Sequence, residues 1–165
     1  MKYLYIDVEI NSENAYSIFN FINHNEGDLT IGLRSIGGES PLALFLVDVL
    51  NLEKERIHLI AINICFSSAL TIFLNYKGDK SLIHGTVGMY HYAVIRMDID
   101  ETGQPADASD MARMVDIKGT RIEHEKVAKE IFNKEELEEF HKRKPVYLSF
   151  KRMKQIFPNA EIIGA

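Results

Sequence analysis

Several features are scarce or missing in this chain of 165 residues, and each removes a class of protein. There is one cysteine, Cys65, so no internal disulfide framework can form and a reducing compartment suits the chain. No block of Lys and Arg exists and the formal net charge is −5, which argues against nucleic acid or an anionic membrane as the main partner. No run of about 18 apolar residues appears, so no membrane-spanning helix is expected. The opening MKYLYIDVEI lacks a long apolar stretch and a small-residue cleavage site; it reads as a strand rather than a signal peptide, and a cytoplasmic protein is expected. There is no G-x-G-x-x-G and no phosphate-binding loop, so nucleotide binding has no support. His24, His58, His84, His124 and His141 show no H-E-x-x-H or similar spacing. Neither a metal nor a cofactor is therefore expected. Internal repeats and low-complexity tracts are also lacking.

What is present suits one domain of ordinary size. Hydrophobic residues make up 46% and charged residues 26%, enough for a core inside a soluble surface. Residues 1–8 alternate and predict a strand. Ser12 is a candidate cap for a helix to about Asn25, with Ala15, Ile18, Phe19 and Ile22 on one face. Residues 29–35 predict a second strand. After Gly37-Gly38, Ser40 is a candidate cap, Pro41 suits the first helical position, and Leu42, Phe45, Leu46 and Val49 repeat the helical spacing. ERIHLIAINI is nearly continuous in apolar residues, as expected of a strand covered on both faces. SSALTIFLNYKG predicts a buried helix, and SLIHG and VGMYHYAVIRMDI predict two more strands. DETGQPADASD reads as a loop, and residues 106–144 as a charged, mostly helical segment that projects or packs on another subunit. The tail predicts a helix capped by Ser149, a turn at Pro158-Asn159 and a last short strand. Alternating strands and helices give an α/β class with a largely parallel sheet.

Ligands of such sheets bind at the carboxyl ends of strands. Three ends carry chemistry: SIGGE, NICFSSAL and GMYH. A serine at a helix start sits in the positive end of the helix dipole, and an imidazole that takes its proton makes it a nucleophile. A glycine N–H, with the N–H after the serine, can hold an oxyanion. Backbone beside the diglycine can pair with an extended peptide, since no Cβ stands in the way. Ser67 competes with Ser68, as a helix cap and, on a one-residue shift of register, as the nucleophile. Cys65 reads as a small core residue.

The order and spacing of these segments resemble the Clp protease proteolytic subunit of the ClpP/crotonase-like superfamily. That family carries S-P-G-G-S, then G-x-A-A-S-M-G-A-F-L-L, then a strand ending M-I-H; here stand SIGGE (35–39), ICFSSALTIFL (64–74) and GMYH (88–91). The resemblance covers nearly the whole chain. It implies a single domain over residues 1–165: a core of repeated β-β-α/β-α-β units (1–100), a projecting helical handle (106–144) and a C-terminal helix and strand (145–165). It implies a serine endopeptidase acting on peptides or unfolded protein inside a homo-oligomeric chamber of stacked rings. Ser68 matches the nucleophile, His91 the general base, and the N–H groups of Gly38 and Ala69 the oxyanion hole, with Gly37 and Glu39 flanking the substrate strand.

The chain departs from that pattern in several places. The family's aspartate falls on Pro145, no acid occupies residues 141–149, and Glu138 or Glu139 substitutes only on a slip of register. A triad without its acid loses the group that orients the imidazole, at a cost of about 10⁴ in turnover. Ile36 replaces the proline of the diglycine motif, and Leu70 and Thr71 replace small residues after the serine. The segment that docks an ATPase chaperone in that family has no counterpart, so that partnership is not expected. A catalytically inactive relative serving assembly or peptide binding is the alternative expectation, and a crotonase-like acyl-CoA enzyme a third.

Overall fold

The computed structural model describes residues 2–92, 102 and 108–164, with the side chains of 108–117 outside the description. The distal part of the fifth predicted strand (residues 93–99), nearly all of the predicted loop before residue 108 and the start of the handle at 106 lie outside the described residues.

Seven strands and six helices are described, and the sheet is mostly parallel. In chain order they are β1 (Lys2–Ile6), α1 (Ser12–His24), β2 (Leu29–Ser35), α2 (Ser40–Leu52), β3 (Ile57–Phe66), α3 (Ser68–Asn75), β4 (Asp79–Ile83), β5 (Val87–Tyr90), α4 (Ala108–Ile131), α5 (Lys134–His141), β6 (Val146–Leu148), α6 (Phe150–Ile156) and β7 (Glu161–Ile163). The chain divides into two compact units, Met1–Tyr90 with Pro145–Ala165, and His91–Lys144.

In the first unit the strands run in the order β1-β2-β3-β4-β7, all parallel. β5 also lies parallel to β3, and β6 returns antiparallel beside β5. β6, three residues long, is absent from the sequence expectation. β3 serves two neighbours in succession: His58–Ala61 pair with β4, and Ile64–Phe66 pair with β5. Between these stretches its register against β2 shifts, from Leu33↔Ala61 to Ser35↔Cys65, with Asn63 at φ 57°. The two extra residues form a bulge that preserves the side-chain parity, so Ile57, Leu59, Ala61 and Cys65 all stay in the core. At the hand-over, buried Thr86 donates its hydroxyl to the Ala61 carbonyl at 3.1 Å and its N–H to Ile83 at 3.0 Å. The expected covering of both faces of β3 is not met: His58, Ile60, Ile62 and Ile64 are only half-buried and Asn63 is exposed.

Helix ends follow local hydrogen bonding more than residue type. Asn11, not Ser12, caps α1, its side chain accepting from the Asn14 N–H at 3.0 Å. Arg56 closes the other end, donating to the carbonyls of Ile22, Asn25 and Gly27, while its Nε bonds Glu53. Glu39, not Ser40, stands at the cap of α2 and makes no side-chain cap bond. The buried face of α2 is Ala43, Leu46, Val47, Val49 and Leu50, with Phe45 turned outward against Phe19 of α1. Ser149 caps α6 as expected. In the second unit, α5 carries a full capping box between Asn133 and Glu136. Phe140 of α5 is fully buried and meets Phe132 edge-on.

The parallel register puts the carboxyl ends of β2, β3 and β5 on one edge: Ser35 is level with Cys65, and Phe66 with Met89. The β2–α2 connection crosses that edge close against other backbone. Ile10 bridges it, donating to the Gly37 carbonyl and accepting from the Glu39 N–H, both at 2.8 Å. Gly38 sits at φ 149°, and a Cβ there would fall 2.1 Å from the Ile10 carbonyl oxygen. We therefore expect Gly38→Ala to cost about 2–4 kcal/mol, read as a lower urea midpoint. Gly27→Ala is the control, since Gly27 also has positive φ but open space around it; it should lose only about 1 kcal/mol. Equal losses would mean that the approach of Ile10 does not matter.

Candidate functional site

The β3–α3 turn is the most unusual backbone on the shared edge. Ser67 adopts φ 52°, ψ −121°, a conformation a non-glycine residue holds only where its surroundings impose it. Those surroundings are identifiable. Its N–H donates to the Met89 carbonyl at 2.7 Å, tying the turn to β5. Its carbonyl accepts the Thr71 N–H at 3.0 Å and the Thr71 hydroxyl at 3.3 Å, which commits the next residues to helix. Gly37 packs against the turn from below: a Cβ there would lie 2.7 Å from the Ser67 Cβ and 2.9 Å from the Ser68 nitrogen. The Ser67 side chain is half-buried and, among the described residues of this unit, its hydroxyl makes no hydrogen bond. The turn therefore lifts one hydroxyl at the start of a helix.

Ser68 is placed differently. It is 0% exposed, and its hydroxyl donates to the Gly38 carbonyl at 2.7 Å, with the Ser40 hydroxyl 3.4 Å away. This side chain ties α3 to the β2–α2 connection. Ala69 is also fully buried. The N–H groups of Ser68, Ala69 and Leu70 belong to the first turn of α3, where no intrahelical acceptor exists.

The peptide groups around the diglycine are nearly all engaged. Gly37 N–H donates to the Ser35 hydroxyl at 3.1 Å, Gly37 carbonyl and Glu39 N–H bond Ile10, and Gly38 carbonyl accepts from Ser68. Gly38 N–H takes no part in the Ile10 bridge. The backbone that passes close to the diglycine is thus the chain's own, from Ile10 and from the 66–68 turn. The Gly37 and Glu39 groups expected to meet a substrate strand face Ile10 instead, and Glu39 exposes its side chain to solvent.

Thus Gly37, Gly38, Ser67, Ser68 and Ala69 are brought together within the first unit. His91 belongs to the second unit. Its Nδ1 lies 2.7 Å from the Tyr92 carbonyl oxygen. A carbonyl only accepts, so Nδ1 carries a proton, and in the neutral ring the lone pair is then on Nε2. Beside it, His124 of α4 is 2% exposed. Burial, and then the neighbouring His91, push the His124 imidazole down to about 4, against a hydrogen bond from that imidazole to the His91 backbone, which acts the other way.

Sequence reasoning missed the second-unit partners of His91. Tyr92 donates its hydroxyl to Glu125 Oε2 and stacks on Phe140 with ring centroids 4.2 Å apart. Glu125 Oε1 accepts from His141 Nε2 at 2.8 Å and from Lys129 Nζ at 3.2 Å. The only available signal was the i, i+4 spacing of Glu125 and Lys129 inside a charge run. Cys65 is fully buried, and burial drives its thiol far above the ordinary range. It is no nucleophile in this state. Pro145, on which the family's aspartate falls, is exposed. Among the described residues no group of His, Cys, Asp and Glu could hold a metal ion, and no helix is long and apolar enough to cross a membrane. A scan against models of protein families finds none that matches this chain, and no curated protein matches it.

The buried His124 gives a pH prediction. Its folded pKa lies below the ordinary 6.5, so the unfolded chain binds the extra proton and stability rises with pH between about 4 and 6.5. Acidification through that window should cost the second unit on the order of 2 kcal/mol. Amide exchange in α4 and α5, followed from pH 7 to pH 4, reads the loss. His124→Leu should flatten the slope; an unchanged slope would remove His124 as its source.

Proposed function

We propose that the chain is a serine hydrolase that cleaves peptide bonds, of the ClpP/crotonase-like type, with Ser67 as its nucleophile. The observation that carries this is the backbone of Ser67: a strained strand-to-helix turn that holds a half-buried hydroxyl at the start of α3. Ser68 held the role in the sequence expectation, but a fully buried hydroxyl whose proton is committed to the Gly38 carbonyl is poorly suited to attack. Moving the nucleophile by one residue also moves the oxyanion donor. The N–H following the nucleophile is then that of Ser68 rather than Ala69, with the Gly38 N–H as second donor.

In this reading the Ser67 oxygen attacks the scissile carbonyl carbon and its proton passes to a general base, the role that the resemblance implies for His91. The carbonyl π electrons move to oxygen, where the two N–H groups stabilise them. The C–N bond then breaks and the amine leaves with the proton from that base. Water hydrolyses the Ser67 ester by the same steps in reverse. Assembly into rings enclosing the site, and a cytoplasmic setting, belong to the same proposal.

A second reading is favoured by Pro145: a non-catalytic relative that keeps the fold for assembly or peptide binding. A fluorophosphonate probe separates the two. We expect one adduct, mapped to Ser67 by peptide mass spectrometry. Ser67→Ala should abolish it, with any peptide turnover falling by at least about 10³. Ser68→Ala should keep the adduct while losing about 1 kcal/mol of stability. No adduct on folded protein supports the non-catalytic reading, and an adduct confined to Ser68 overturns the assignment of Ser67.

A further inference from the structure

The aspartate that orients the histidine in a catalytic triad has no counterpart at Pro145, yet the His91 ring is held in a defined state. We infer that a Glu125–Tyr92 clamp replaces it, Glu125 fixing Tyr92 so that the Tyr92 carbonyl sets the tautomer and direction of the His91 imidazole. As a statement about catalysis this rests on the reading of the chain as a serine hydrolase; as a statement about His91 it rests on the second unit alone.

Each link is a contact in that unit. The Tyr92 carbonyl accepts the Nδ1 proton of His91. A carbonyl next to the imidazole in the chain can take many directions unless the residue that bears it is immobilised. Tyr92 is immobilised twice, by the face of Phe140 along its ring and by Glu125 at its hydroxyl. Phe140 is 0% exposed, so the stacking surface is itself fixed. Glu125 is in turn gripped by His141 from α5 and Lys129 from the next turn of α4. Three donors, led by the Tyr92 hydroxyl, hold the Glu125 carboxyl down to about 2, so the acceptor stays ionised. Burial and Glu125 push the Tyr92 hydroxyl up to about 12, so the donor keeps its proton.

Glu125 and Tyr92 are positioning residues in this account. They touch no reacting atom, and the negative charge stands two links away from the imidazole. Such an arrangement supplies orientation and the correct tautomer. It supplies less stabilisation of the imidazolium than a carboxylate in direct contact.

The test reads the imidazole itself. Nitrogen-15 spectra of the imidazoles in full-length protein, with His91 assigned by its loss in His91→Gln, should show the Nδ1–H form. Tyr92→Phe keeps the stacking ring and removes the hydroxyl; Glu125→Leu removes the acceptor. Both should shift His91 towards a mixture of tautomers and slow fluorophosphonate labelling at least about tenfold. Glu125→Gln keeps an acceptor oxygen and should restore most of the Nδ1–H signal, which a loss of folding would not allow. An unchanged His91 tautomer in folded Tyr92→Phe and Glu125→Leu protein overturns the clamp. If the tautomer responds as expected but wild-type protein takes no probe, the clamp on His91 stands and the hydrolase reading alone is lost.

Discussion

The bond from the Ser68 hydroxyl to the Gly38 carbonyl is the interaction on which the rest of the edge depends. It joins the two connections that leave the carboxyl ends of β2 and β3, and its donor, Ser68, is fully buried, which limits competition from water. On one side, Ile10 holds the same glycine segment through two backbone bonds. On the other, Met89 holds the N–H of Ser67. The strained turn between them is the residue left over once these four bonds are made. Strain of this kind persists only where neighbouring contacts over-determine it, and here each contact has a named donor and acceptor.

The α/β class and the order of the core elements were legible because they rest on periodicity. Ala15, Ile18 and Ile22 pack as their spacing predicts. Caps were less legible, because Asn11 and Ser12 are both good capping residues and the choice depends on which carbonyl and N–H groups the tertiary structure leaves unpaired. On α2, Leu46 and Val49 are buried as their spacing predicts, while Phe45 turns outward to an aromatic neighbour, Phe19, outside the core. The bulge at Asn63 left no sequence mark, and three-residue β6 is too short for an alternation pattern to register.

The site was legible as a neighbourhood and not as a set of roles. The diglycine, the paired serines and the strand end before His91 could be placed from topology, because parallel strands bring their carboxyl ends together. Which serine stands on the turn could not be placed, since the two are chemically identical and differ only in one backbone dihedral pair. The diglycine signalled a close backbone approach, and the approach exists. Its partner is Ile10, over 25 residues earlier, a contact that no local pattern encodes. The tie from Glu125 to Tyr92 spans 33 residues and is invisible for the same reason.

The division of β3 between two partners has a mechanical consequence. Its lower half is locked to β4, which is itself braced by β7, while its upper half shares only three register pairs with β5. Thr86 sits at the joint between the storeys. The serine turn is therefore supported by the pairing of β3 with β5, itself backed by β6, and not by the pairing with β4 and β7 at the base.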